Sequence, residues 1–403
     1  MRRIGYLIGQ FPAVNHFYLA LEINRLRQSG LEVRVASIAP SDRCDSELRE
    51  AERILGAETY VVKDDSAYRA LRLLARALLC TPVRFARSAR KAMSFARGAG
   101  KPSRYGLFYL AEAVLVADWI ARERIGFLYS SFSAGIAAVV AELTGLPFGF
   151  GVYGYGELYD PVGGQLGRKI AGASFVRSVS RHGVGQLMLA SAPEHWPKIH
   201  YIALGIEPDA FPPRPREKSK AFELLCVGRL SAEKGHRLLL AALARVVRSG
   251  RTVTLRFVGD GPERRALEEF AAHQGVERQV VFEGRVQQQR LDELYGSSSV
   301  FVMASLYEGI PIVLMEAMAR ELPCIAPAIN GIPELLLHGE TGLLFPTGDD
   351  ETLAELITNL YDSPTRGKEY GVAARRRVKT HYDIVPNTDA LASAFLRLPS
   401  MTL

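Results

Sequence analysis

Two glutamates separated by seven residues mark the part of this sequence where groups suited to chemistry are most concentrated. Glu308 and Glu316 lie in Ser305-Leu-Tyr-Glu-Gly-Ile-Pro-Ile-Val-Leu-Met-Glu-Ala-Met-Ala319. Pro311 suits the first position of a helix, because its φ is already helical and its missing N–H would have had no intrahelical partner. The pattern therefore predicts a helix that starts at Pro311 and runs through Met318.

The start of this helix predicts an anion site. The N–H groups of about residues 310 to 313 are free there, and the positive end of the helix dipole attracts phosphate. Carboxylates repel phosphate but accept hydrogen bonds from hydroxyls. Glu308 and Glu316 therefore suit a ligand that carries hydroxyls as well as phosphate, and a nucleotide sugar has both.

A second segment carries two cations between a predicted strand and a predicted helix. In Val227-Gly-Arg-Leu-Ser-Ala-Glu-Lys-Gly235, Arg229 and Lys234 follow the end of the strand. Arginine offers a planar fork of donors and lysine a compact charge, and the two together suit a diphosphate.

Strand-like and helix-like patterns alternate along the chain, which predicts an α/β protein with parallel sheets. One alternation opens with a strand at residues 4–8 and another with a strand at residues 222–227. Residues 212–220, with three prolines and clustered charges, predict a linker between them. We therefore predict two doubly wound, Rossmann-like lobes, residues 1–211 and 221–385, that face across a cleft.

Ligands bind such sheets at the carboxyl ends of the strands. Gly9 lies at this position after the first strand, so it is either a ligand-binding residue or a plain turn.

Composition indicates a globular protein of the cytoplasm. The chain has 403 residues, of which 48% are hydrophobic. No apolar run is long enough for a transmembrane helix, and the run at the N-terminus is too short for a signal peptide. The cysteines are far apart, which favours reduced thiols over a zinc site or disulfides; they are Cys44, Cys80, Cys226 and Cys324.

Positive charge is concentrated between Ser66 and Ala111, where there are ten Lys or Arg and no Asp or Glu. The spacing places Arg69, Arg72 and Arg76 on one face of a helix, and Leu71, Leu74 and Leu78 on the other. One interpretation is a solvated face on helices whose leucines pack on a core. The other is docking of residues 66–104 on an anionic membrane surface. The segment has no nucleic-acid-binding motif, so we expect no nucleic acid partner.

Several motifs together resemble those of retaining glycosyltransferases of family four, which have the GT-B fold. They are the segment 227–235, Val258-Gly-Asp-Gly-Pro262, the two glutamates of 305–319, Gly331-Ile-Pro-Glu334 and Gly339-x-Thr-Gly342. Phe11-Pro12 and the residues after it are similar to the start of exopolysaccharide and lipopolysaccharide sugar transferases. The resemblance extends over nearly the whole chain.

The resemblance implies transfer of a sugar from a nucleotide-diphosphate sugar to a carbohydrate or lipid-linked acceptor, with retention, in polysaccharide or glycolipid synthesis. It implies that the N-terminal lobe binds the acceptor and that residues 386–403 form a helix that crosses back to that lobe. It also places the protein in the cytoplasm, and on the inner face of the membrane if the basic helices dock there.

The resemblance also implies a role for each site residue. Arg229 and Lys234 would bind the donor diphosphate, Glu316 the ribose and Glu308 the donor sugar. The backbone beside them would help to seat the donor at Gly309, Ile310, Pro311 and Ile312. Neither a cofactor nor a metal is implied, because the chain has no Asp-x-Asp and cations with a helix dipole can stabilise the diphosphate.

One departure from the family lies in Phe150-Gly-Val-Tyr-Gly-Tyr-Gly-Glu-Leu-Tyr159. Tyr153 stands where many members have a histidine. A tyrosine has an ordinary pKa near ~10, so it donates a hydrogen bond but is not a base at neutral pH. Tyr153 is therefore a catalytic candidate in a changed role.

Two alternatives to sugar transfer remain at this stage. A non-hydrolysing nucleotide-sugar epimerase would use the same fold, and it would convert the donor without an acceptor. A non-catalytic nucleotide-sugar-binding protein would account for the missing histidine.

Overall fold

The computed structural model describes residues 3–13, 16–44, 48–213 and 222–398. The chain divides into two compact units, one of residues Met1–Ala203 with Ile384–Leu403 and one of Leu204–Asp383. The division comes earlier than the predicted end of a first lobe at residue 211. Arg375 accounts for this difference, because its guanidinium binds the carbonyl oxygens of Pro208 and Phe211 within the second unit. Residues 214–220 of the predicted linker lie outside the described residues.

The first unit is built on a parallel sheet. Its strands are β1 (Arg3–Gln10), β2 (Glu32–Ala39), β3 (Tyr60–Val61), β4 (Phe127–Ser131), β5 (Phe148–Val152), β6 (Phe175–Ser178) and β7 (Ile199–Tyr201). The described part of the sheet has the order β3-β2-β1-β4-β5-β6-β7. Every strand pairing in it is parallel.

The helices of the first unit connect these strands. They are α1 (Phe17–Gln28), α2 (Glu50–Glu58), α3 (Ala67–Cys80), α4 (Pro82–Gly98), α5 (Tyr105–Glu123), α6 (Ala134–Thr144), α7 (Tyr155–Leu158), α8 (Leu166–Gly172) and α9 (Arg181–Leu189). The last helix of the chain, α17 (Ile384–Arg397), packs against α1 in this unit. Its Asp389 accepts a bidentate pair of hydrogen bonds from Arg25, and Phe395 lies edge-on to Tyr129.

The second unit repeats the same architecture. Its strands are β8 (Phe222–Val227), β9 (Val253–Val258), β10 (Val280–Gly284), β11 (Val300–Val302), β12 (Cys324–Pro327) and β13 (Leu343–Phe345). Its helices are α10 (His236–Arg248), α11 (Arg264–Gln274), α12 (Gln288–Ser297), α13 (Ile312–Ala319), α14 (Ile332–Leu335), α15 (Asp350–Asp362) and α16 (Pro364–His381). The strand order is β10-β9-β8-β11-β12-β13, again with parallel pairing.

Both strand orders reverse at a central pair of strands. The direction of winding changes between β1 and β4 in the first sheet and between β8 and β11 in the second. The loops that follow such a pair diverge, which opens a crevice at the carboxyl ends of the strands. The predicted α/β class with two doubly wound lobes is confirmed.

The basic segment folds as α3 and α4, and the interpretation in which its leucines pack on a core holds for one of the three and is wrong for two. Leu74 packs against the core of the first unit. Leu71 and Leu78, however, are 66% and 51% exposed. Arg69 is not a simple surface charge either, because it forms ion pairs with Asp65 and Asp118. No helix among the described residues is long and apolar enough to span a membrane.

A buried ion pair joins α1 to β6 inside the first unit. Arg177 Nη1 lies 2.6 Å from Glu22 Oε2, and both side chains are almost completely buried. The remaining donors of Arg177 bind the carbonyl oxygens of Ile202 and Ala203, and Tyr6 Oη donates to Glu22 Oε1 at 2.8 Å. Each buried charge thus has a charged partner and additional hydrogen bonds, as burial requires.

We predict that Arg177→Met lowers the free energy of unfolding by ~3–5 kcal/mol, because Glu22 is then a buried charge without its counter-ion. Adding Glu22→Met should recover a large part of that loss. Urea denaturation of the single and double variants measures both effects. Equal stability of wild type and Arg177→Met would contradict the stated role of the pair.

Candidate functional site

Two loops meet at the central crevice of the second sheet. The loop after β8 contains Arg229 and Lys234, and the loop after β11 contains Glu308. They are joined by a backbone hydrogen bond of 2.8 Å from Leu306 N to Glu233 O. Gly235 has a φ of +61°, and a Cβ there would lie 2.1 Å from the carbonyl oxygen of Ala304. Glycine is therefore required for the two loops to approach this closely.

Lys234 and Glu308 form an ion pair at the centre of the crevice. Lys234 Nζ lies 2.6 Å from Glu308 Oε1, with 26% and 11% of the two side chains exposed. Ser305 Oγ donates to the same carboxylate oxygen at 2.7 Å, and Asn330 Nδ2 donates to the Glu308 carbonyl oxygen at 3.0 Å. The structure thus brings together two predicted site residues from distant segments and compensates their half-buried charges.

The backbone at Arg229 is held from inside the second unit by His236. The ring Nε2 donates to the Arg229 carbonyl oxygen at 3.0 Å, and Nδ1 lies 3.8 Å from Cys226 Sγ. Burial lowers the pKa of His236 and raises the pKa of Cys226 to about 12. A neutral imidazole and a protonated thiol match this arrangement, in which the thiol donates to Nδ1. The Arg229 side chain is exposed to solvent beside the crevice.

The helix that follows Glu308 starts one residue later than predicted. Helix α13 begins at Ile312, and Pro311 is its N-cap with φ −74° and ψ 119°. Pro311 is extended because it turns the chain out of the loop, so its role as the first helical residue is wrong. Ile312 and Val313 are nevertheless the first residues of the helix, so their N–H groups have no intrahelical carbonyl oxygen to bind. Ile310 is buried and anchors the loop beneath them.

Glu316 lies further along α13 and is almost completely buried. Tyr295 Oη donates to Glu316 Oε2 at 3.3 Å and contacts the Val313 carbonyl oxygen at 3.2 Å. Burial, together with Glu316, holds the pKa of Tyr295 well above its ordinary value, so the hydroxyl stays a donor. Arg320 pairs with Asp292 and donates to the Glu316 carbonyl oxygen. The carboxylate is therefore oriented by its own neighbours.

The remaining predicted residues, Gly9 and Tyr153, lie in the first unit. Gly9 packs against the loop after β4, where a Cβ would lie 2.8 Å from the carbonyl oxygen of Phe132. Tyr153 follows β5, and its Oη lies 2.7 Å from Ser131 Oγ. Burial, with a contribution from Glu22, raises the pKa of Tyr153 to about 12, so its hydroxyl is protonated at neutral pH.

Three rings stack beside Gly9. Phe132 lies between His16 and Tyr153, with centroid distances of 4.6 and 4.8 Å. Phe132 has a φ of +62°, which is uncommon for a bulky residue, and it is still 42% exposed. The stack therefore fixes the ring of Tyr153 at the carboxyl ends of the strands.

Sequence reasoning missed four residues that position this site, namely Ser305, Asn330, Tyr295 and His236. Tyr295 and Asn330 lie outside the motifs described above, and Ser305 begins the segment 305–319 but was given no role there. His236 directly follows Lys234-Gly235, and its place at the start of a helix beside two cations was the only available signal. The described residues include no group of three or more His, Cys, Asp or Glu side chains arranged to hold a metal ion.

Most of the second unit matches a known protein family. Residues 209–377 match the family model described as glycosyl transferases group 1. This part of the chain is therefore similar to group 1 glycosyl transferases. It holds both loops of the crevice and the whole of α13.

Two curated relatives match almost the full chain. The amylovoran biosynthesis glycosyltransferase AmsK of Erwinia amylovora is 24% identical, over 94% of this chain and 96% of its own length. The putative colanic acid biosynthesis glycosyltransferase WcaL of Escherichia coli K12 is 23% identical over the same shares. The chain therefore has full-length similarity to glycosyltransferases of polysaccharide biosynthesis.

Solved structures give the fold class. A sucrose-phosphate synthase from Thermosynechococcus elongatus matches with a TM-score of 0.75 at 19% identity, covering 98% of this chain and 99% of that one. Anabaena Alr3699/HepE, solved in complex with UDP and glucose, matches with a TM-score of 0.72 at 17% identity, covering 98% and 100%. The predicted GT-B fold is confirmed.

The buried neutral His236 makes stability depend on pH. Its pKa is lowered in the folded state, so the unfolded chain binds the proton first when the pH falls below ~6.5. Stability from this group is present above that pH and is lost as the solution becomes more acidic.

We predict that His236→Gln reduces the loss of stability between pH 7.5 and pH 5.5, because glutamine keeps a donor for the Arg229 carbonyl but does not titrate. One histidine changes the slope by at most ~1.4 kcal/mol per pH unit. Thermal unfolding of both proteins across this range measures the difference. Identical slopes would contradict the prediction.

Proposed function

We propose that this protein is a retaining glycosyltransferase that moves a sugar from a nucleotide-diphosphate sugar to a carbohydrate or lipid-linked acceptor. One observation carries the proposal above the others. The Lys234–Glu308 pair lies at the central crevice of the second unit, within the residues that match the group 1 model. The loop that carries Glu308 leads into helix α13. The pair supplies a cation for phosphate and an acceptor for hydroxyls at the same place.

In this proposal the positive groups of the crevice bind the diphosphate of the donor. Arg229 and Lys234 bind its oxygens, and the backbone amides of Gly309, Ile310 and Ile312 with the dipole of α13 complete the site. Charge that develops on the leaving diphosphate is stabilised by these fixed groups, so the proposed mechanism needs no metal and no cofactor. Pro311 has no N–H and instead sets the direction of the loop.

The two glutamates divide the hydroxyls of the donor between them. Glu316 accepts from the ribose, and Tyr295 orients its carboxylate by donating to Oε2. Glu308 accepts from the donor sugar. Lys234 has three N–H donors, so it can remain with Glu308 and still reach a phosphate oxygen.

Retention in this proposal follows from attack on the face that the diphosphate leaves. The bond between the anomeric carbon and the phosphate oxygen breaks, and the acceptor oxygen bonds to the same face. The acceptor's proton moves to the departing phosphate, so no protein base is needed. Tyr153 is protonated at neutral pH and contributes a hydrogen bond. Gly9 keeps the loop of the first strand close to this ring.

The comparisons support a place in cell-surface polysaccharide or glycolipid synthesis. AmsK and WcaL are named for the synthesis of amylovoran and colanic acid, and the Anabaena structure contains UDP and glucose. We propose that the present chain likewise takes a nucleotide-sugar donor, and that it works in the cytoplasm at the inner face of the membrane. The first unit would bind the acceptor.

We predict that Lys234→Ala and Glu308→Ala each lower turnover by ~10²–10³-fold, because each removes a fixed charge from the reacting centre. Arg265→Ala and Glu269→Ala are matched controls, since these residues form an exposed ion pair on α11. Release of nucleotide diphosphate from a panel of donors, with and without oligosaccharide acceptors, measures the rates.

A thermal-shift panel of nucleotide diphosphates precedes these assays, because a ligand that binds the native state raises the melting temperature. Wild-type rates in both site variants would refute the assignment. An epimerised donor that forms without any acceptor would favour the epimerase. Stabilisation by a nucleotide diphosphate without turnover of any donor would favour a binding protein.

A further inference from the structure

Helix α3 exposes a row of large apolar side chains that the core does not use. Leu73 and Leu74 face inward and pack against the core of the first unit. Tyr68, Leu71 and Leu79 are 75%, 66% and 80% exposed, and Leu78 is exposed as well. The helix therefore has a packed side and a separate apolar side that faces solvent.

The exposed residues form one continuous ridge. Their spacing of three and four residues, with Ala75 between them, places them on one face of α3 over ~16 Å. Thr81 then turns the chain directly into α4, and Val83 in the first turn of α4 is 64% exposed. We define the apolar ridge as Tyr68, Leu71, Ala75, Leu78, Leu79 and Val83.

Arginines border this ridge. Arg72 and Arg76 lie on the next row of α3, one turn apart and exposed. Arg87 and Arg90 are exposed on α4. Arg69 differs from them, because its guanidinium is held by Asp65 and Asp118. Lys91 of α4 pairs with Glu142 of α6.

The apolar ridge and its bordering arginines together favour contact with a lipid bilayer over contact with a protein partner. Contiguous exposed apolar side chains are costly in water, and soluble proteins rarely keep them without a partner. The bordering charges are all positive from Ser66 to Ala111, which matches anionic headgroups. An apolar face with arginines beside it is the pattern of helices that lie in the plane of a membrane interface.

We propose that α3 lies in the headgroup region of an anionic membrane, with the apolar ridge inserted among the acyl chains and Arg72, Arg76, Arg87 and Arg90 on the lipid phosphates. The attachment is therefore apolar as well as electrostatic. It does not depend on the reaction proposed above, because none of its residues belongs to the crevice of the second unit.

The test uses the full chain and sedimentation with vesicles of phosphatidylethanolamine and phosphatidylglycerol. Wild type should bind, and added salt should weaken the binding without abolishing it, because salt screens charges but not apolar contact. Leu78→Ser with Leu79→Ser should lower the partition coefficient by about tenfold or more. Arg72→Glu with Arg76→Glu should weaken binding to these vesicles and reduce its dependence on their anionic lipid.

Leu189→Ser is the matched control, since Leu189 is an equally exposed leucine on α9, away from the ridge. It should leave vesicle binding unchanged. All of these side chains are exposed, so the melting temperatures should stay close to that of wild type. A Leu79→Trp variant reports directly whether residue 79 inserts into the bilayer. Lipids brominated on the acyl chain should quench the fluorescence of the new tryptophan.

Three outcomes would overturn the proposal. The first is wild-type binding by the Leu78→Ser and Leu79→Ser double variant. The second is no quenching of Leu79→Trp by brominated lipid. The third is a concentration-dependent dimer in light scattering that the same double variant abolishes, because the ridge would then be covered by a second copy of the chain.

Discussion

The strand order of the two sheets constrains everything else in this protein. In a parallel sheet that is wound in both directions, the loops after the two central strands leave toward opposite faces, and a crevice opens between them. In the second unit these loops carry Lys234 and Glu308. In the first unit Gly9 lies near the end of β1, and it packs against Phe132 in the loop after β4. Residues far apart in the chain therefore meet at the same edge of a sheet.

Compensation of buried charge organises the side chains inside this frame. Glu308 is paired with Lys234 and Ser305, Glu316 accepts from Tyr295, and Glu22 is held by Arg177 and Tyr6. A buried polar group without hydrogen-bond partners is costly, so each of these carboxylates is held by hydrogen-bond donors. The partners keep these groups as oriented acceptors. In the crevice these are the acceptors that we propose for the hydroxyls of the donor, whereas in the first unit the pairing joins α1 to β6.

The first unit combines two surfaces of different chemistry. At the carboxyl ends of its strands, the ring of Tyr153 stacks with those of His16 and Phe132 and presents a protonated phenol. On α3 and α4, an apolar ridge lies beside arginines and is separate from the core. The first surface belongs with the proposed reaction, and the second with the place where that reaction would occur.

The sequence by itself determined the α/β class, the first strand of each unit and the motifs of the second unit. Strands β1 and β8 follow from local periodicity, because the side chains of a strand repeat on one face whatever surrounds them. The short spacing from Glu308 to Glu316 is likewise a local property, and so is the glycine at Gly235.

Only the tertiary structure decided which side chains pair. The Lys234–Glu308 ion pair joins segments more than 70 residues apart, and Tyr295 reaches Glu316 from another helix. The same holds on α3, where Arg69 binds Asp118 while Arg72 stays exposed, and where Leu74 is packed while Leu78 is not. Periodicity gives the face on which a residue lies, but it does not say what covers that face. Burial and pairing depend on neighbours that only the folded chain supplies.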